Sequence, residues 1–232
     1  MSFYYYFSLV ISPAVAGIMF YYLKKYYDKE RFRLLTRAFI LGALSIFIPL
    51  IFQYLAKTYG YTDLRNLKRI VFYSFILIGF FSELGKYLVL RYYVYPHKDF
   101  DGPSDGIIFA TMIAMGYASV ENILYVFSYI DYGNMNPILA HAYTAAPANI
   151  FFAIVMGFFM GMAKLGHSSF LNSLGGFAAA AFFHGLYDFC LITRDYKLLS
   201  VFAFGFMILV ILLLWKTARG KIEDKRTEIN HL

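Results

Sequence analysis

Charge is what this chain has least of. Asp, Glu, Lys and Arg make up 15% of its 232 residues, while 60% are hydrophobic and 21% aromatic. A soluble domain carries about 25% charged residues, so an ordinary water-soluble globule is excluded. No polar stretch between the apolar blocks is long enough to fold as a separate soluble domain. Cysteine is almost absent too. Cys190 stands alone, which rules out an intrachain disulfide and a thiolate metal cluster and leaves it to pack as a small hydrophobe. The chain also lacks an HExxH helix, a GxSxG serine elbow and a GxGD-like pair of aspartates, so the standard zincin and serine-hydrolase motifs are missing. No base precedes Lys24, so the first apolar stretch reads as a span rather than a cleaved signal.

What is present is length enough for an all-α, polytopic bundle. A spanning helix needs about 20 apolar residues, and such blocks lie near 3–23, 38–56, 70–90, 105–130, 138–163, 170–193 and 197–215. Seven spans are expected, with an eighth, re-entrant piece as an alternative. Together they form one transmembrane domain over 1–215, followed by a charged tail over 216–232. The formal charge is +7, but the bases sit in loops, where they meet anionic lipid and set orientation. Membrane lipid is therefore the expected partner and nucleic acid is not. Only Lys57, Arg65, Lys68, Arg69, Arg194 and Lys197 fall in the even-numbered loops. The remaining bases, Lys86 apart, fall in the odd-numbered loops and the tail. That bias predicts an N-terminus outside the cell membrane and a cytoplasmic C-terminus. Gly157 and Gly161 have the GxxxG spacing that lets two helices approach closely.

The spans hold polar residues that lipid penalises, at roughly 2.5–3.5 kcal/mol per ionisable group. Glu83 and Lys86 lie three apart on the third span and share a face, either as a structural ion pair or as a catalytic carboxylate tuned by a cation. Glu121 and Asn122 lie on the fourth, with Tyr117, Ala118 and Tyr125 on the glutamate's face. That glutamate is either a carboxyl held neutral by hydrogen bonds or a working group. His184 and Asp188 lie four apart on the sixth, a spacing at which the aspartate can hold one ring nitrogen and leave the other for a metal or a proton. His141 opens the fifth span. At 1.5 Å per residue, Glu121 and His184 come out roughly 14 Å deep and Glu83 roughly 20 Å, within reach of one another, whereas His141 is only about 5 Å deep. His97, His167 and His231 lie in loops and the tail and carry no assigned role. Carboxylates and imidazoles are zinc ligands. A zinc set of Glu121, His141 and His184, with glutamate as general base, is one way these residues hydrolyse a peptide bond. Activation of water by glutamate and histidine alone is the other.

The order of these residues resembles the PrsW family of intramembrane proteases, distantly akin to the type II CAAX prenyl endopeptidases. The family's EExxK motif corresponds to Ser82-Glu83-Leu84-Gly85-Lys86, and its GFA-x-x-EN motif to Gly116 through Asn122, led by Asp105-Gly106. Its histidine-threonine motif corresponds to His141 and Thr144, and its HxxxN/D motif to His184 and Asp188. The resemblance covers about residues 70–190. It implies catalysis by Glu83, Glu121 and His184, supported by Lys86, Asn122, Asp188 and Ser82. It also implies a membrane-embedded or membrane-anchored protein or peptide substrate, such as a membrane-anchored regulator. The chain departs from the pattern at Ser82, which stands where the family has its first glutamate. Serine is no base at neutral pH, so that role passes to Glu83 or Glu121, or is lost. Two further readings remain open at this point: a homologue that binds membrane peptides without cutting them, and a transporter or proton relay built on the same buried groups.

Overall fold

The computed structural model describes residues 3–129, 135–166 and 169–195, together with scattered residues from 197 to 217. It is helical throughout its regular part, with no strand among the described residues. That is the expected solution in lipid, where backbone N–H and C=O groups must find partners within their own segment. The helices are α1 (Phe3–Leu23), α2 (Lys29–Leu44), α3 (Phe47–Thr58), α4 (67–94), α5 (Pro103–Tyr129), α6 (Met135–Lys164) and α7 (Ser169–Thr193). Residues described between 197 and 217, where a further span is expected, are helical as well. All of the tail except Thr217 lies outside the described residues, as does His167.

Among the described residues four stretches are long and apolar enough to cross a membrane: Lys29–Thr58, Pro103–Ser128, Thr144–Lys164 and Ser169–Thr193. The first begins well before the expected start at 38. Its charged opening, KERFRLLTR, reads as loop from composition, yet it is helix. Asp28 caps it by accepting from the Arg31 N–H at 2.7 Å, while Leu34, Leu35 and Ala38 turn inward. Arg31 itself pairs with Asp105 on α5. At the membrane edge Lys98 reaches Glu30 at 3.0 Å, and this carboxylate holds the ammonium charged to higher pH than usual.

The long span is broken between α2 and α3. The Ser45 hydroxyl donates to the Gly42 carbonyl at 2.7 Å, and Pro49, in the first turn of α3, has no N–H to continue the ladder. The break makes room for α4. A Cβ on Gly85 would lie 2.7 Å from the Ser45 carbonyl, so the backbone of α4 rests against it. Within α4, an α-helical core (Phe81–Leu88) sits between two wider π-helical turns, Phe72–Phe80 and Val89–Val94. Such turns are rare and frequently lie at functional sites.

At the centre is α5, which packs against α1, α2, α4 and α6. From Phe109 to Ala118 it is buried almost all round, as expected of a helix with no polar face. The GxxxG pair of α6 meets it. A Cβ on Gly157 would run into the backbone of Gly106, and one on Gly161 into Pro103. On the other side Gly79 of α4 and Gly185 of α7 lie backbone to backbone. These small residues let α4, α5, α6 and α7 close around the polar side chains described below.

Because a backbone cannot yield as a side chain can, Gly157→Leu is expected to destabilise the protein by about 3 kcal/mol or more. Gly175→Leu, which meets nothing within 4 Å, is expected to leave stability nearly unchanged. Thermal unfolding of the two detergent-solubilised variants checks the contrast.

Candidate active site

Four helices supply one connected polar chain. α4 contributes Glu83 and Lys86, three residues apart on its inner face, where Ser82 and Gly85 are buried too. α7 contributes His184 and Asp188, α6 contributes Asn149, and α5 contributes Glu121. Glu83 is 1% exposed and His184 2%, so neither charge is screened by bulk water.

Glu83 is the hub. Its Oε1 lies 2.5 Å from Lys86 Nζ and 2.7 Å from His184 Nδ1. The other ring nitrogen, Nε2, lies 3.2 Å from Asp188 Oδ2. His184 thus sits between two carboxylates. An ionised carboxylate only accepts, so both contacts are satisfied by an imidazolium, or by a neutral imidazole with one protonated carboxyl. The ring stacks on Phe152, with centroids 4.8 Å apart at 19°, which fixes its plane. From Lys86 the chain continues to Asn149 Oδ1 at 2.8 Å, and from Asn149 Nδ2 to Glu121 Oε2 at 3.1 Å.

Ser82 is fully buried beside the hub and accepts a hydrogen bond from the Tyr117 hydroxyl at 2.7 Å. Lys86 lies 4.6 Å over the same tyrosine ring. His141 stands apart from the chain of hydrogen bonds. Its ring stacks on Tyr125 of α5 at 3.8 Å and 8°, and its buried Nδ1 has no hydrogen-bond partner among the described residues. Asn122 turns to the other side of α5, where its Nδ2 donates to Ser12 on α1 at 3.1 Å. It ties α1 to the bundle rather than touching Glu83 or His184. Thr144 hydrogen-bonds the Tyr187 hydroxyl at 2.6 Å, joining α6 to α7.

The sequence singled out Glu83, Lys86, Glu121, His184 and Asp188, and the fold brings all five together. It did not single out Asn149, the link between Lys86 and Glu121. Asparagine carries no charge and so raises no alarm in an apolar run. The available signal was an isolated amide in PANIFFAIV, two residues after a helix-interior proline, Pro147.

As donor types these residues suit a divalent metal: carboxylate oxygens and imidazole nitrogens, with Glu83 Oε2 and His141 Nδ1 buried and without hydrogen-bond partners among the described residues. As positions they are drawn out in a line. Among the described residues no three His, Cys, Asp or Glu side chains gather around one point.

Fold and site together define a polytopic helical membrane protein with an acid–imidazole centre buried between four helices. The family model described as PrsW family intramembrane metalloprotease matches residues 30–215. Among curated relatives, Protease PrsW of Oceanobacillus iheyensis is 32% identical over 95% of this chain and 96% of its own length. Protease PrsW of Halalkalibacterium halodurans is 31% identical over 92% and 93%, and that of Bacillus subtilis 31% identical over 78% and 80%. No solved structure matches the chain. The chain belongs to the PrsW family of intramembrane metalloproteases, and its activity is that of an intramembrane endopeptidase.

Removing one partner of a buried ion pair strands the other charge, which costs about 3–5 kcal/mol. Lys86→Met is accordingly expected to destabilise by that amount, and Lys86→Met combined with Glu83→Gln by clearly less. Denaturant unfolding in detergent measures the difference; equal losses would show that the pair is not what holds Glu83 in place.

Proposed function

We propose that this endopeptidase cleaves membrane-embedded or membrane-anchored peptides with water activated between Glu121 and the Glu83–His184–Asp188 group. The observation that carries the reading is the 2.7 Å contact between Glu83 and His184, made across α4 and α7 at nearly zero exposure. A hydrogen-bonded acid–imidazole pair is costly in lipid and is retained for work.

Glu83 is already engaged by Lys86 and His184, so it orients the imidazole. Among the described residues Glu121 accepts from a single amide, that of Asn149, so it is the better placed to take the proton of the attacking water. As the water oxygen bonds to the carbonyl carbon and the C–N bond breaks, the His184 ring delivers a proton to the leaving nitrogen. The proton held by Glu121 then returns to the imidazole. Ser82, occupied by Tyr117, takes no part in the proton transfer.

Zinc is the metal that this donor chemistry suits; Glu121, His141 and His184, which do not gather around one point here, would have to close together to hold it. When bound it would acidify its water and polarise the scissile carbonyl. His184 faces a carboxylate from each nitrogen, so ligation would exchange one of those contacts for the ion. The substrate fitting a site at this depth is a peptide that itself enters the membrane, such as a membrane-anchored regulator. An N-terminus outside and a cytoplasmic C-terminus are supported by the loop bases; a C-terminal tag labelled from outside intact cells would reverse that orientation.

His184→Ala is expected to lower kcat on the order of 10³-fold, and Asp188→Asn by about 10–100-fold, in a detergent assay on a membrane-spanning reporter peptide. Full cleavage by His184→Ala would end this mechanism. Elemental analysis of the purified protein, with chelation and zinc add-back in the same assay, tests the metal: activity unchanged after complete metal removal would eliminate zinc.

A further inference from the structure

Lys86 is one cation among several acids. It pairs with Glu83 at 2.5 Å, and Glu121 belongs to the same buried cluster, yet no Lys86–Glu121 ion pair forms among the described residues. Asn149 stands between them. Its Oδ1 accepts from Lys86 Nζ at 2.8 Å, and its Nδ2 donates both to Glu121 Oε2 at 3.1 Å and to the Ala145 carbonyl at 3.1 Å. The residue is 2% exposed, so bulk solvent does not compete for these contacts.

The amide has one workable orientation. An ammonium only donates, while a carboxylate and a carbonyl only accept. The oxygen must therefore face Lys86 and the nitrogen must face Glu121. The amide accepts from the cation at one end and donates to the carboxylate at the other without adding charge. Aspartate would keep the first contact and lose the second, and leucine would lose both.

We propose that Asn149 is a positioning residue for the hydrolytic reaction: it aims the Glu121 carboxylate and keeps Lys86 committed to Glu83. This rests on the assignment of Glu121 as the carboxylate that activates water. Without the amide, Lys86 can swing toward Glu121 and neutralise it, and Glu83 loses the cation that lets it hold His184.

The test uses the full chain in detergent with a membrane-spanning reporter peptide, reading kcat and KM separately, with thermal unfolding alongside. Asn149→Leu and Asn149→Asp are each expected to lower kcat by about 10–100-fold while KM stays within about twofold. Asn149→Gln, which can still accept and donate, is expected to recover part of that loss. Wild-type kcat in folded Asn149→Leu or Asn149→Asp overturns the proposal. If Asn149→Leu fails to fold, the pair Asn149→Gln and Asn149→Asp decides: glutamine clearly more active supports it, and equal activity overturns it. Glu121→Gln, measured alongside, separates the two levels. Full activity there removes the assignment of Glu121 and this proposal with it. Loss of activity there, with normal cleavage by the Asn149 variants, removes only the role of Asn149.

Discussion

A carboxylate placed among phenylalanines inside a lipid layer has to be answered by a donor or a cation, and the architecture of this protein follows from how Glu83 is answered. Lys86 arrives from the same helix at i+3, 2.5 Å away. His184 arrives from another helix at 2.7 Å. The first contact needs only a helical turn. The second needs α4 and α7 to touch, which they do at Gly79 and Gly185: a side chain on Gly79 would strike the backbone of Gly185, and one on Gly185 would strike Phe75 of α4. The glycines and the ion pair are thus one design: small residues supply the proximity, and the charges make that proximity worth having. Buried pairs contribute little net stability compared with apolar packing, so their presence at this depth marks chemistry rather than strength.

Much of this could be read before any coordinates. Hydrophobic block length locates α1, α5, α6 and α7 to within a few residues, because lipid leaves the backbone little choice but helix. The i+3 spacing of Glu83 and Lys86 and the i+4 spacing of His184 and Asp188 placed each pair on one face, since those intervals fall close to whole helical turns. Three features stayed hidden. The charged start of α2 reads as loop until Asp28 is seen to cap it and Asp105 to meet Arg31. The π-helical turns of α4 have no compositional signature, being a matter of which carbonyl each N–H selects. Asn149 escaped because it is not ionisable, even though its amide can stand between a cation and an anion and satisfy both.

The same cluster would also suit a proton relay, which likewise needs buried acids and imidazoles in contact. Its arrangement argues for hydrolysis. Lys86 is spent on Glu83 and Asn149 rather than left as a stepping stone. Membership of a protease family over residues 30–215 agrees with that reading.

Ser82 fits the same electrostatics. With a glutamate in its place, as in the EExxK pattern, four acids would crowd around Lys86 and His184. With serine there are three: Glu83, Glu121 and Asp188. In a site this dry, each unmatched negative charge must be neutralised by a proton or a metal, so the substitution lowers the demand for such a counter-charge. The hydroxyl also satisfies Tyr117 at 2.7 Å, whose ring lies under the Lys86 ammonium at 4.6 Å. The position given up as an acid therefore still steadies the cation that holds Glu83. Of the acids that remain, Glu83 and Asp188 face His184, which leaves Glu121 as the one aimed elsewhere.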